Sequence, residues 1–184
     1  MFFANDWTAF GGLWKNPVMR TVSHALNPEA SLTRVFRRIA AGGMADMPLG
    51  NPALDVEAVG FRQTENGRWL GVLITPWAMN LLLLPASDAR APWPDKAAGD
   101  THVWRFPSGA YTFLVAAEEE LGIYHLCSLF SPPHQFTSQE AARQTACAVL
   151  SELLSPPRSA ALAREAASGE RVSGKNRRAF LGLR

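Results

Sequence analysis

Apolar residues recur along this chain with two different periods. From Leu32 the spacing is helical. Leu32, Val35, Phe36 and Ile39 form one stripe, with Arg34, Arg37 and Arg38 on or beside the opposite face. Asn27-Pro28 supplies a cap and a first-turn proline, and Gly42-Gly43 a stop, so the stripe predicts a core helix. From Leu54 the period shortens to two. Leu54, Val56 and Ala58 alternate with Asp55, Glu57 and Val59, which reads as a strand. Asn66-Gly67, both tolerant of positive φ, predicts a hairpin from a strand ending near Thr64 to one beginning near Arg68. Trp69 to Thr75 is apolar throughout, as in a central strand covered on both faces or on one face by a partner.

Pro76 holds Thr75 extended and breaks the ladder, and Met79 to Leu84 resumes as a strand. Ala86 to Gly99 reads as a loop containing Pro92, Trp93 and Pro94. Thr101 to Phe106 is a strand with His102, Trp104 and Phe106 on one face. Pro107-Ser108-Gly109 turns it, Tyr111 to Val115 returns, and Leu121 to Leu129 is a further strand closed by Pro132-Pro133. Thr137 is the expected cap of the next helix, with Glu140 completing a capping box. Its inward face holds Ala141, Ala142, Thr145, Ala146, Val149, Leu150 and Leu153, and Pro156-Pro157 ends it. About six strands in hairpins between two helices predict a single α+β domain, a largely antiparallel sheet with the helices on one face.

Two flanking regions complete the organisation. Residues 1–26 form an aromatic-rich extension in which Phe3, Trp7, Phe10, Leu13 and Trp14 follow a helical period, interrupted by Gly11-Gly12. It reads as a cover for the core or as a docking segment. Residues 27–157 are the folded body. Residues 158–184 are a short helix followed by a flexible basic tail.

Charge sharpens this division. The tail carries seven basic residues against two acidic ones, the rest eleven against fourteen. A duplex-binding face needs positive charge on the folded body, so nucleic acid is not an expected partner. No apolar run approaches a membrane span, and Leu81 to Leu84 ends at a proline. The first residues lack a positive n-region, so a cytoplasmic location is expected. The two cysteines suit a reducing compartment.

Catalytic signatures are scarce. G-x-G-x-x-G, H-E-x-x-H and G-x-S-x-G do not occur, the one G-x-x-x-x-G-K match, Gly169 to Lys175, is followed by Asn176 and not by the Ser or Thr of a phosphate loop, and no cofactor is expected. His125 and Cys127 share a strand face, so a thiol enzyme is one reading, and a metal enzyme another if His102 or His134 joins them. A buried thiol beside a satisfied imidazole is the alternative. Glu118, Glu119 and Glu120 read as a solvated turn.

The segments around Pro76 and Pro132 point elsewhere. Trp77, Met79, Leu129, Phe130 and Phe136 are apolar side chains beside two proline interruptions, and a broken ladder leaves backbone groups for an extended guest peptide. Trp77, Met79, Phe130 and Phe136 are expected to line one groove. The same residues also suit a rim of core bending two strands.

At these residues the chain resembles the HybE/HupJ family of nickel–iron hydrogenase assembly chaperones. The matching segments are Met47-Pro-Leu-Gly-Asn-Pro-Ala-Leu-Asp-Val-Glu-Ala-Val-Gly-Phe61, Trp69-Leu-Gly-Val-Leu-Ile-Thr-Pro-Trp-Ala-Met-Asn-Leu81, Phe106-Pro-Ser-Gly-Ala-Tyr-Thr-Phe113 and Cys127-Ser-Leu-Phe-Ser-Pro132. Ala78 and Pro133-His-Gln135 depart from the family pattern within the expected contact region. The resemblance implies a non-enzymatic accessory protein. Its implied guest is the immature iron–sulfur small subunit or that subunit's twin-arginine signal peptide, held before export. It extends the partners to the large subunit and to a rubredoxin-like protein, although four cysteines for a fused rubredoxin are absent. A structural subunit of the mature enzyme is a third reading.

The basic tail adds one further pattern. Asn176-Arg-Arg-Ala-Phe-Leu-Gly182 is similar to the Arg-Arg-x-Phe-Leu core of a twin-arginine signal. Arg177, Arg178, Phe180 and Leu181 are therefore expected to mimic the guest, the guanidinium groups pairing with carboxylates such as Glu118 to Glu120. A solubilising tail is the plainer reading.

Overall fold

A computed structural model describes residues 20–42 and 50–156 of the chain. The aromatic segment Phe3 to Trp14, the first residues of the Met47 motif, and the tail with Arg177, Arg178, Phe180 and Leu181 lie outside the described residues. Helix α1 (Glu29–Ala41) is followed by β1 (Glu57–Gln63), β2 (Arg68–Ile74), β3 (Met79–Pro85), β4 (Thr101–Phe106), β5 (Gly109–Glu118), β6 (Gly122–Phe130) and helix α2 (Gln139–Leu153). The six strands form one sheet in the order β1-β2-β3-β6-β5-β4, every neighbour antiparallel. Two three-stranded meanders are thus joined through β3 and β6. All seven residues of β3 are buried, because this strand lies at the seam with a helix-backed face on either side.

The hairpin at Asn66-Gly67 forms, but only Gly67 takes a positive φ, +69°, and the turn is closed from Thr64, whose carbonyl accepts from Gly67 N at 2.9 Å. The β2–β3 connection differs from the expected strand interruption. Thr75 and Ala78 close a tight turn around Pro76-Trp77: Thr75 N donates to Ala78 O at 2.9 Å, and Ala78 N to Thr75 Oγ1 at 3.0 Å. Proline therefore leaves no broken ladder for a guest strand at this point. It occupies a turn position where its fixed φ is an advantage.

Pro28 takes the cap position of α1 and Glu29 the first helical one, a residue later than expected, while Asn27 Oδ1 accepts from Glu29 N at 3.0 Å just ahead of the helix. The start of α1 also satisfies an irregularity in β1. The β1–β2 register shifts between Val59 and Arg62, where Gly60 takes φ +68°. Phe61 N donates to Glu29 Oε1, and Phe61 O accepts from Asn27 Nδ2. The cap of α2 is Ser138, whose Oγ accepts from Ala141 N, so Thr137 is one residue early and the capping box with Glu140 does not form. Glu140 pairs instead with Arg143 on the next turn.

The helices lie on opposite faces of the sheet, not on one. Leu32, Val35 and Phe36 of α1 pack with Phe61, Leu73, Leu82, Leu84, Tyr124 and Leu126. Ala142, Ala146, Leu150 and Leu153 of α2 pack with Leu70, Val72, Ile74, Leu81, Leu83 and Phe113. Alternation along each strand divides its side chains between these cores, each fully buried leucine contributing about 1.5–3 kcal/mol. Helix α2 lies against β1 and β2. Beyond it the sheet curls, and Ser108 in the β4–β5 turn donates from N and Oγ to Leu153 O at the end of α2. The α2 side is therefore the concave side.

Candidate functional site

On the concave side, past the end of α2, strands β2, β4 and β6 bring together a polar aromatic cluster. Trp104 Nε1 donates to His125 Nδ1 at 2.8 Å. The Arg68 guanidinium lies 4.4 Å above the Trp104 ring, although β3, β6 and β5 separate their strands. His102 stands edge-on to Trp104 at 4.5 Å, and Trp93 from the β3–β4 connection packs on His125 at 4.6 Å. His125 is completely buried. Burial, then the charges of His102 and Arg68, push its pKa down to about 4. Because indole N–H only donates, His125 Nδ1 is the unprotonated nitrogen, and the neutral ring carries its proton on Nε2.

This arrangement decides the role of Cys127. No hydrogen bond joins Cys127 to His125 among the described residues, and burial pushes the thiol pKa up, away from a reactive thiolate. The His102 and His125 rings do lie 5.6 Å apart, while Cys127 shares only the strand face of His125. Among the described residues no three His, Cys, Asp or Glu side chains are grouped to hold a metal ion. Trp93, Trp104 and Arg68 are the members that sequence reasoning missed as site residues. Only the placing of Trp104 and His102 on one strand face pointed to them.

The apolar candidates divide. Met79, Leu129, Phe130 and Phe136 pack with the α2-side core, whereas Trp77 packs with the α1-side core. They do not line one groove. Met79 and Phe136 are buried, while Leu129 and Phe130 remain part-exposed at the concave rim. Phe130 meets Phe136 edge-to-face at 5.1 Å. Asn51, unremarked in the sequence reading, fastens this corner. Its Nδ2 donates to Pro133 O at 2.9 Å and Phe136 O at 2.8 Å, its Oδ1 accepts from Ala53 N, and its backbone N donates to Pro76 O.

The acidic turn is already engaged. Glu118 and Glu120 both pair with Arg38, and Glu120 also with Arg34, tying α1 to the β5–β6 turn. Glu118 further accepts from the backbone N of Glu120 and Leu121. Hydrogen bonds from Arg38 and Arg34 hold the Glu120 carboxyl below its usual range. Glu119 is exposed.

A curled sheet with a part-exposed aromatic rim, over an imidazole held neutral, has the make-up of a protein that binds other polypeptides. The chain matches the family described as [NiFe]-hydrogenase assembly, chaperone, HybE over residues 27–183. It is 41% identical over 139 residues to the hydrogenase expression/formation protein HupJ of Bradyrhizobium diazoefficiens, covering 72% of this chain and 79% of that one. It is 44% identical over 124 residues to the probable rubredoxin HupJ of Rhodobacter capsulatus, covering 67% of this chain but 44% of the relative. The solution structure of HybE from Escherichia coli superposes with a TM-score of 0.58 at 28% identity, covering 76% of this chain and 85% of that one.

The chain belongs to the HybE family of [NiFe]-hydrogenase assembly chaperones. Its role is that of a non-enzymatic accessory protein in hydrogenase maturation.

Proposed function

We propose that this chaperone works in the cytoplasm on the immature iron–sulfur small subunit, binding it or its twin-arginine signal peptide before export. One observation carries the choice of surface. Cys127, Leu129 and Phe130 of β6, with Trp104, Phe106 and Tyr111 of the β4–β5 hairpin, are part-exposed on the concave side and pack on one core. Apolar and aromatic side chains of this kind mask equivalent surface on an unfinished partner. The mechanism is thermodynamic: binding the immature guest lowers its free, export-competent fraction by mass action. Docking of the large subunit then competes for the guest and releases it. A rubredoxin-like protein is a further partner of the same assembly.

The test is capture of the small subunit by the tagged chain from hydrogenase-producing cells, followed by calorimetry with an isolated signal peptide. Retention of the small subunit, and its loss with Phe130→Ala but not Trp77→Ala, is the expected result. Equal loss with Trp77→Ala would move the contact to the opposite face. Failure to retain the subunit would overturn the reading.

A further inference from the structure

The β3–β4 connection, residues 86–100, crosses the polar aromatic cluster as a strap. Its ends are tied. Ala86 N donates to Gly67 O, Arg90 N to Asn66 O, and Gly99 N to Val115 O. From Ala91 to Lys96 no hydrogen bond to another described residue holds it. This stretch rests on Trp93, whose ring packs 4.6 Å from His125 and 5.7 Å from Trp104. Segments held by so few contacts open at low cost.

The cluster contains three N–H groups sealed from solvent with no acceptor among the described residues: Trp93 Nε1, His125 Nε2 and Arg68 Nε. The His125 nitrogen is a donor because its Nδ1 is taken by Trp104. Arg68 forms no ion pair among the described residues. A part-buried cation whose Nε is sealed, with two neutral donors in one aromatic cluster and no acceptor, is complementary to an anionic oxygen.

We propose that this cluster, uncovered when the Ala91–Lys96 strap lifts, receives a carboxylate of the guest polypeptide, with Arg68 as its charge partner and the Trp93 indole and His125 imidazole as donors. The identity of the guest rests on the chaperone reading above; the carboxylate chemistry does not. Recognition combines one charge with two neutral donors, of which His125 is held in direction by Trp104, so the corresponding amide, which brings its own N–H and no charge, is rejected. The carboxylate comes from an acidic side chain or from a chain terminus.

Both sources are tested on the full chain labelled with 15N. The probes are acetyl-Leu-Asp-Leu-amide and acetyl-Leu-Leu with a free carboxyl, each beside its neutral Asn or amide counterpart. The expected result is movement of the Trp93 indole and His125 ring resonances with at least one acid probe and not with its neutral counterpart. Arg68→Gln should weaken that response by about tenfold, and Trp93→Phe, which removes the N–H and shortens the ring, should weaken the response read at His125. No response to either acid, or an equal response to the neutral probes, would overturn the proposal. So would movement of the Trp93 resonance on Asp6→Asn, Glu165→Gln or Glu170→Gln without peptide, since the acceptor would then belong to the chain itself. Small-subunit capture separates the two readings. Equal capture by wild type and Arg68→Gln, with no peptide response, rejects this site and keeps the chaperone reading. A carboxylate-selective response without capture does the reverse.

Discussion

Trp104 on β4 and His125 on β6 are joined by an indole-to-imidazole hydrogen bond of 2.8 Å that passes over the intervening strand β5. Burial holds this histidine in its neutral form, and the bond fixes which ring nitrogen carries the proton. The burial thereby makes stability depend on pH. The folded-state pKa of His125 is about 4, below the ordinary value of 6.5. Above pH 6.5 the ring is neutral in both folded and unfolded chains and adds no slope. As pH falls from 6.5 toward 4, the unfolded chain takes up the proton first, and stability is lost by about 2 kcal/mol. His24 and His102 are shifted the same way by burial and add to the slope. Urea unfolding at pH 7, 5.5 and 4.5 should show the loss, and His125→Gln should flatten the profile relative to wild type. Parallel profiles would show that His125 is not the titrating group.

Asn51 is expected to be the most costly polar position to lose. Its amide satisfies two buried carbonyls, and its oxygen accepts a third bond. Asn51→Ala leaves Pro133 O and Phe136 O without a donor, at about 2–3 kcal/mol. Asn51→Asp should not rescue it, because a carboxylate accepts but does not donate. Denaturant midpoints of the two variants check this.

Gly71 is a packing position, not a turn. A methyl group there would stand 2.3 Å from the Phe61 ring, which rests on β2 in the α1-side core. Gly71→Ala should therefore destabilise by about 1–3 kcal/mol through overpacking. Phe61→Leu in the same chain should recover part of the loss, as a double-mutant cycle would show.

The acidic turn and the basic tail give a linked expectation. Glu118 caps backbone donors as well as pairing with Arg38, so Glu118→Ala should cost about 1–2 kcal/mol and exceed the effect of Arg38→Ala. Because Arg34 and Arg38 already occupy Glu118 and Glu120, any docking of Arg177 and Arg178 there must displace them. If the tail occupies the guest site, removal of residues 170–184 should tighten signal-peptide binding in calorimetry, since a tethered competitor is lost. Unchanged or weaker binding would reject self-occupancy.

Local patterns carried most of the elements. The period of Leu32, Val35 and Phe36, the Asn27-Pro28 start and the Asn66-Gly67 hairpin each depend on residues within a few positions of one another, and each appears near its expected place. Strand alternation showed that His102, Trp104 and Phe106 share a face, and that His125 and Cys127 do. What neighbouring residues could not encode was which strand lies beside which. A period of two assigns side chains to two faces without saying which helix covers either. The separation of Trp77 from Met79 by faces, the placing of α1 and α2 on opposite sides, and the meeting of Arg68, Trp93, Trp104 and His125 all follow from the long-range pairing of β3 with β6 and the curl of the sheet. Those are set by the burial of both faces at once, an energy to which residues far apart in sequence contribute together.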